Sequence, residues 1–446
     1  MRPIGSILRL FSLALIPWVL LAPASDLHAG EPAVLESTSV IYPLSSLYYP
    51  VVLSGRQLPS LLELPIGQVA LYASRQGELA PIPFQIDRKD RRGRFEIAAD
   101  EQERREENRH PFDENDECVF MVADAGEGLA ALPDMPDVSG ATEIVLADPT
   151  TQKTLFVYAL VFPDEAPRKS SRDYVTYHIG NDTVETETYR VAFSQEKPFL
   201  LTAINWKEAE TQRYARDYTD TMKVRHRGKL FHQFDFLRTE DDYKSRVIGV
   251  KDGPVRVIRR TLNRVRVLWK LRTPTIAVDY IHYANAFFMD TRLNPRFKPG
   301  LFFSDLETLM TVDSRPGPSL PDTIVYTETA GESALFDGKM TDREHQINLN
   351  GGRALIVSNH YGKILTTLEI EEGSPIEARP YFMDDVNSPD PPENVPGQFG
   401  NVGFISSGWD KLDKSVHHLV FTVYMIRNIS VEAGFRTLRQ APSFLH

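Results

Sequence analysis

The chain has 446 residues, a formal net charge of −11 and one cysteine, with 42% hydrophobic and 25% charged residues. That composition is globular, and its acidity excludes nucleic acid as a general partner, since phosphate binding needs a basic footprint. A single cysteine, Cys118, excludes an internal disulfide and a thiolate zinc site.

In chain order, the first segment reads as an export leader. Arg2 and Arg9 precede the apolar run Leu10 to Leu21, and the small-residue sites Ala22-Pro23-Ala24 and Leu27-His28-Ala29 come after it. The run is interrupted by Pro17 and is shorter than a spanning helix requires, so residues 1–29 are expected to be removed and the product to be periplasmic or extracellular. No later stretch is long and apolar enough to span a bilayer. About 420 residues remain, more than one ordinary core holds, which points to two domains.

Most of the remaining chain reads as strands. Val40 to Leu53 is rich in β-branched and aromatic residues, and Thr154 to Phe162 is a strongly apolar strand stopped by Pro163. Between them, Ile82 to Asp87 and Cys118 to Gly126 flank a charged excursion. Pro163 to Ser171 reads as a linker, dividing an N-terminal β domain (30–165) from a larger one (172–446). In the larger part, Asp252-Gly253-Pro254, Asp337-Gly338 and Asn350-Gly351-Gly352 mark hairpin turns, the last between Ile347–Leu349 and Ala354–Val357. Helical patterning is confined to Ser60–Leu64 and Glu101–Asn108. The expected class is mainly β: an N-terminal sandwich-like domain followed by a large antiparallel supersandwich. The proline-rich segment Asp384 to Asn401 has the length of a binding loop or a disordered one.

Four constellations bear on chemistry. Asp113, Asn115 and Glu117 alternate like the start of a calcium loop, with Asp87, Asp90 and Asp124 as further oxygen donors; the turn glycine and closing Glu of that pattern are absent. A basic strand comes next: Arg264, Arg266, Lys270 and Arg272 fall on one face opposite Val265, Val267, Trp269 and Leu271, and Arg256 and Arg260 share their parity. These cations are expected either to pair with acids on neighbouring strands, such as Glu185 and Glu187, or to hold an anionic glycan, whose carboxylates or sulfates match guanidinium forks. Tyr280 and His282 share a face just downstream and suit an acid and a base for proton abstraction beside a sugar carboxylate. Tyr48, Tyr49 and Phe404 to Trp409 supply aromatic rings of the kind that stack on sugars. No serine-hydrolase, zincin, kinase or dinucleotide motif occurs.

The run Val250-Lys251-Asp252-Gly253-Pro254-Val255-Arg256-Val257 resembles the entry to galactose-mutarotase-like β-supersandwich domains of polysaccharide lyases and secreted bacterial proteins of no known function. Pro83-Phe84-Gln85-Ile86-Asp87 with Asp116-Glu117-Cys118-Val119-Phe120 resembles a β domain that precedes such sandwiches. The resemblance implies the fold; of the lyases' catalytic residues it reaches only the Tyr280/His282 pair. Three functions stand side by side: binding of an anionic polysaccharide, lyase or related carbohydrate chemistry, and a structural role in the cell envelope. The cofactor expectation is none, or calcium.

Overall fold

The computed structural model describes residues 35–44, 48–98, 103, 106–164, 170–217, 219–314, 322–329, 333–347, 352–387 and 399–445. The expected leader and residues 388–398 of the proline-rich loop lie outside them.

The protein is mainly β, organised as packed sheets. Its centre is a ten-stranded sheet whose middle strands are Val257–Leu268, Ile276–His282, Ala286–Leu293, His417–Ile426 and Gly362–Ile370, all antiparallel. These strands are apolar on both faces: Ala286-Phe287-Phe288-Met289 is buried throughout, as a sheet covered on two sides requires. Val257, Tyr280, Phe287, Met289 and Val423 point one way, and Ile258, Ile281, Phe288, Val420 and Tyr424 the other.

Each face meets a different partner. The first packs on the four-stranded meander Val175–His178, Thr183–Thr186, Tyr189–Phe193 and Leu201–Trp206. It also faces a five-stranded sheet ordered Phe234–Arg238, Thr219–Leu230, Phe303–Ser314, Phe399–Ser407 and Glu377–Met383. The second face meets the N-terminal sheets and the C-terminal helix Val431–Gln440, so Leu53 and Phe120 share one core with Phe288, Tyr424 and Phe435. The core of the N-terminal segment is therefore continuous with that of the sandwich across the expected linker.

Several local expectations shift. Val40 to Leu53 is split between Leu35–Ile41, which pairs in parallel with Gly140–Ala147, and Pro50–Ser54 in a second sheet. Residues 348–351 of the expected Asn350-Gly351-Gly352 hairpin lie outside the described residues. Before them the chain forms the short helix Asp342–His345, because Thr341 and Glu344 close a capping box. Ala354–Asn359 pairs instead with Ile324–Thr327 and Gly362–Ile370. Thr154–Val161 and the turn after Asp252 stand where expected. Among the described residues no helix is long and apolar enough to cross a membrane.

Candidate ligand cavity between the sheets

The two sheets of the sandwich do not meet along their whole length. Toward one end they leave a cavity of about 310 Å³. Its walls follow from strand alternation. Val265 and Val267, Val278 and Tyr280, Met289 and Leu293, and Leu419 and Phe421 face it from the ten-stranded sheet. Met222, Val224 and His226, Phe303, Met310 and Phe404 face it from the other. A second cavity of about 70 Å³ adjoins it, and Met222, Met289, Met310 and Phe421 line both. The wall between the two thus rests on unbranched thioether chains, which rearrange more readily than branched residues.

The polar groups in this wall are spent on one another. His226 lies with Nε2 at 2.7 Å from the Tyr243 hydroxyl and Nδ1 at 2.8 Å from the Thr308 hydroxyl. Tyr243 stacks on Phe199 with ring centroids 4.2 Å apart, and the Tyr280 hydroxyl donates to the Phe199 carbonyl at 2.6 Å. Asn263 accepts from Ser245 at 2.7 Å and donates to Thr261 at 2.9 Å. Burial lowers His226 to about 4, with Asp242 opposing, so the imidazole is neutral at neutral pH. Burial likewise pushes the Tyr243 and Tyr280 phenols up. The wall therefore offers apolar surface and hydrogen-bond partners that are already satisfied. Thr275, Asn294, Arg296 and Phe297 are the exposed members of the lining and mark where the cavity reaches solvent.

The residues singled out in the sequence are not gathered around this cavity. Tyr280 does line it, but with its hydroxyl committed. His282 is fully buried behind the wall, 3.2 Å from the Tyr189 hydroxyl and packed against Phe193 and Phe287. Burial, then Arg259, lowers it to about 3. The pair shares a face as expected, with Tyr280 2% exposed and His282 fully buried.

The basic stripe is divided. Arg256 turns into the interface with the N-terminal sheets, where it donates to Asp87 at 2.6 Å, Glu117 at 2.7 Å and the Tyr283 hydroxyl at 3.0 Å. Desolvation raises the Asp87 carboxyl, but Lys251 and Arg256 overcome it and hold Asp87 at about 2. Arg260 grips Asp279 with both ends of its fork, at 2.6 and 2.7 Å. Arg266 donates to Asp242 at 2.7 Å, and Arg272 to the Asp242 carbonyl at 2.8 Å. Arg264 and Lys270 are exposed. The compensating acids are thus Asp87, Glu117, Asp279 and Asp242; Glu187 pairs with Arg172, and Glu185 lies near His178 and Arg190.

The oxygen donors do not converge either. Asp113 accepts from the backbone of Asn115 at 2.7 Å in its own turn, while Glu117 is held by Arg256 and Lys89. Asp90 pairs with Arg94 and Asp124 with the Tyr174 hydroxyl. Among the described residues no group of three or more His, Cys, Asp or Glu side chains is placed to hold a metal ion. Tyr49 and Phe404 are buried, and Trp409 is partly buried in the cavity wall with its indole N–H on Ser406 at 2.9 Å.

The cavity itself is the feature that sequence reading missed. Its signal was present in the opposite parity of the basic strand, Asn263, Val265 and Val267, and in Met222-x-Val224-x-His226.

No family model and no curated protein matches the chain. Among solved structures, an alpha-mannosidase from Enterococcus faecalis V583 is similar at TM-score 0.40 and 10% identity, over 84% of this chain and 40% of that one. A glycosyl hydrolase family 38 protein from Enterococcus faecalis is similar at TM-score 0.39 and 9% identity, over 90% and 48%. The chain thus spans less than half the length of either.

Proposed function

We propose that this protein binds one elongated apolar ligand, an acyl chain or a chain of comparable shape, between the sheets of its sandwich. The observation that carries this is the cavity of about 310 Å³, walled by aliphatic, methionine and aromatic side chains and open at one end. At about 24 cal/mol per Å³, keeping such walls apart forfeits on the order of 7 kcal/mol of packing, a cost with no counterpart in the fold. The volume lies at the lower end of the roughly 300–1,000 Å³ typical of ligand sites. Each methylene taken from water into it contributes about 0.8 kcal/mol. The satisfied state of His226, Tyr243 and Thr308 favours binding over reaction. Export, expected from the N-terminal residues, suits a carrier or sensor of apolar compounds in the envelope. A fluorescent fatty acid titrated into the protein tests this: saturable 1:1 enhancement is expected, and Val278→Trp, which places an indole in the cavity, should weaken it at least tenfold.

A second reading keeps the anionic saccharide expected from the basic strand. Its specific support is Trp269, 86% exposed beside the exposed Lys270: an indole face and a cation are a sugar-stacking pair. Titration of an acidic oligosaccharide into wild type and Trp269→Ala separates it, since only this reading requires loss in the variant.

A further inference from the structure

Three loop tips carry exposed apolar residues and adjoin Phe236, Val267 and Phe303 of the cavity lining. The turn between Thr219–Leu230 and Phe234–Arg238 exposes Phe231 and, at 59%, Phe234. The tight hairpin between Val257–Leu268 and Leu271–Arg272 exposes Trp269 and, at 65%, Leu271. The loop before Phe303–Ser314 exposes Leu301, also at 65%, and Phe302. The tips form one surface. The Phe231 N–H donates to the Phe302 carbonyl at 2.6 Å and their rings are in edge contact. Leu268, beside the second tip, packs in one cluster with Leu230 and Phe303, which adjoin the other two. Phe297 joins the patch to the cavity wall through its contact with Phe302.

Two further properties set this patch apart from scattered surface apolars. The first is backbone geometry. Leu268 pairs with Leu271, so Trp269 and Lys270 form a two-residue turn, and Trp269 sits at φ 45° where glycine is ordinarily found. Phe231 sits at φ 51°. Large aromatic rings are held at costly positions that do nothing for the core. The second is charge. Segments 227–238, 264–272 and 294–305 carry nine Lys and Arg against two acids, Asp235 and Asp305, in a chain of net charge −11. Arg227 and Arg266 are taken by Glu307 and Asp242, and Lys229 by Asp235. Arg264, Lys270, Arg296 and Lys298 face no carboxylate among the described residues.

Apolar tips ringed by unpaired cations are the complement of an anionic lipid surface: rings and aliphatic chains enter the headgroup layer while ammonium and guanidinium groups meet phosphates. We propose that this end of the sandwich docks on anionic membrane, placing the cavity mouth against the lipid layer. The proposal rests on the apolar-ligand reading for its purpose, and its test is kept separate.

The chain after leader removal is co-sedimented with vesicles of phosphatidylcholine alone or with one-third phosphatidylglycerol. Wild type is expected to bind the anionic vesicles at least tenfold more tightly than the neutral ones. Trp269→Ser with Leu271→Ser should lose at least tenfold on anionic vesicles while keeping fatty-acid binding. Lys270→Gln with Arg296→Gln and Lys298→Gln should lose the preference for anionic lipid. Val278→Trp, or the milder Val278→Phe, should bind vesicles as wild type does, so failure of the cavity reading leaves this result unaffected. Equal vesicle binding by the Trp269/Leu271 variant and wild type overturns the proposal. So does a dimer in sedimentation that the same variant dissociates, or retention by an acidic polysaccharide without vesicle binding.

Discussion

Arg256 is the side chain on which the junction between the N-terminal sheets and the sandwich most depends. It is buried with Asp87, Glu117 and Tyr283 around it, and each carboxylate has a second cation, Lys251 or Lys89. Removing the arginine alone strands buried charge, so Arg256→Met should cost about 3–5 kcal/mol in chemical denaturation. The double change Arg256→Met with Asp87→Asn leaves the Lys89–Glu117 and Lys251–Glu107 pairs in place and should recover most of that loss; no recovery would show that packing, rather than charge, is what the arginine provides. His226 gives a pH signature. Its ordinary value is near 6.5 and burial lowers it to about 4, so between those values the unfolded chain binds more protons than the native one. Stability therefore falls as pH drops from about 6.5 to 4. His226→Gln should remove part of this fall, with a difference growing to about 3 kcal/mol by pH 4; parallel curves for the two proteins would contradict it.

Strand alternation was legible in the sequence, and it explains both what reading the chain captured and what it missed. Period two along Val257–Leu268 does separate Arg264 and Arg266 from Val265 and Val267. Which parity turned inward was not legible, because both faces of the central sheet are covered and polarity alone does not rank them. Arg256 and Arg259, one of each parity, are both buried, each against an acid far away in sequence, Asp87 and Asp182. Such partners are set by the stacking of elements, which no local window contains. The hairpin at Trp269 carries its own prediction. Since the ring makes an exposed, left-handed turn, Trp269→Gly should leave stability unchanged or raise it by up to about 1 kcal/mol. A larger loss in thermal unfolding would mean the indole has a structural role.

For the whole molecule, the expected division at Pro163 to Ser171 coexists with a core that runs across it. Leu53, Phe112 and Phe120 lie in the same cluster as Ile258, Phe288 and Tyr424. Unfolding should therefore be a single transition. Trp206, buried in the sandwich, reports on one side, and far-ultraviolet circular dichroism reports on all strands. Coincident midpoints are expected; two separated transitions would show that the halves are energetically independent. The class of fold followed from many short β-rich runs and turn signals. The cavity did not: the inward parity of Val265, Val267, Met222 and Val224 gives its walls, but a gap between sheets also depends on how far apart they are held, which a local pattern does not contain.

The most direct test of the account is native mass spectrometry of the protein with a long-chain fatty acid, beside Val278→Trp. One bound chain per wild-type molecule, and a much smaller bound fraction on a folded Val278→Trp, is the predicted result. Absence of binding by wild type, or equal binding by Val278→Trp, would contradict a ligand seated between the sheets.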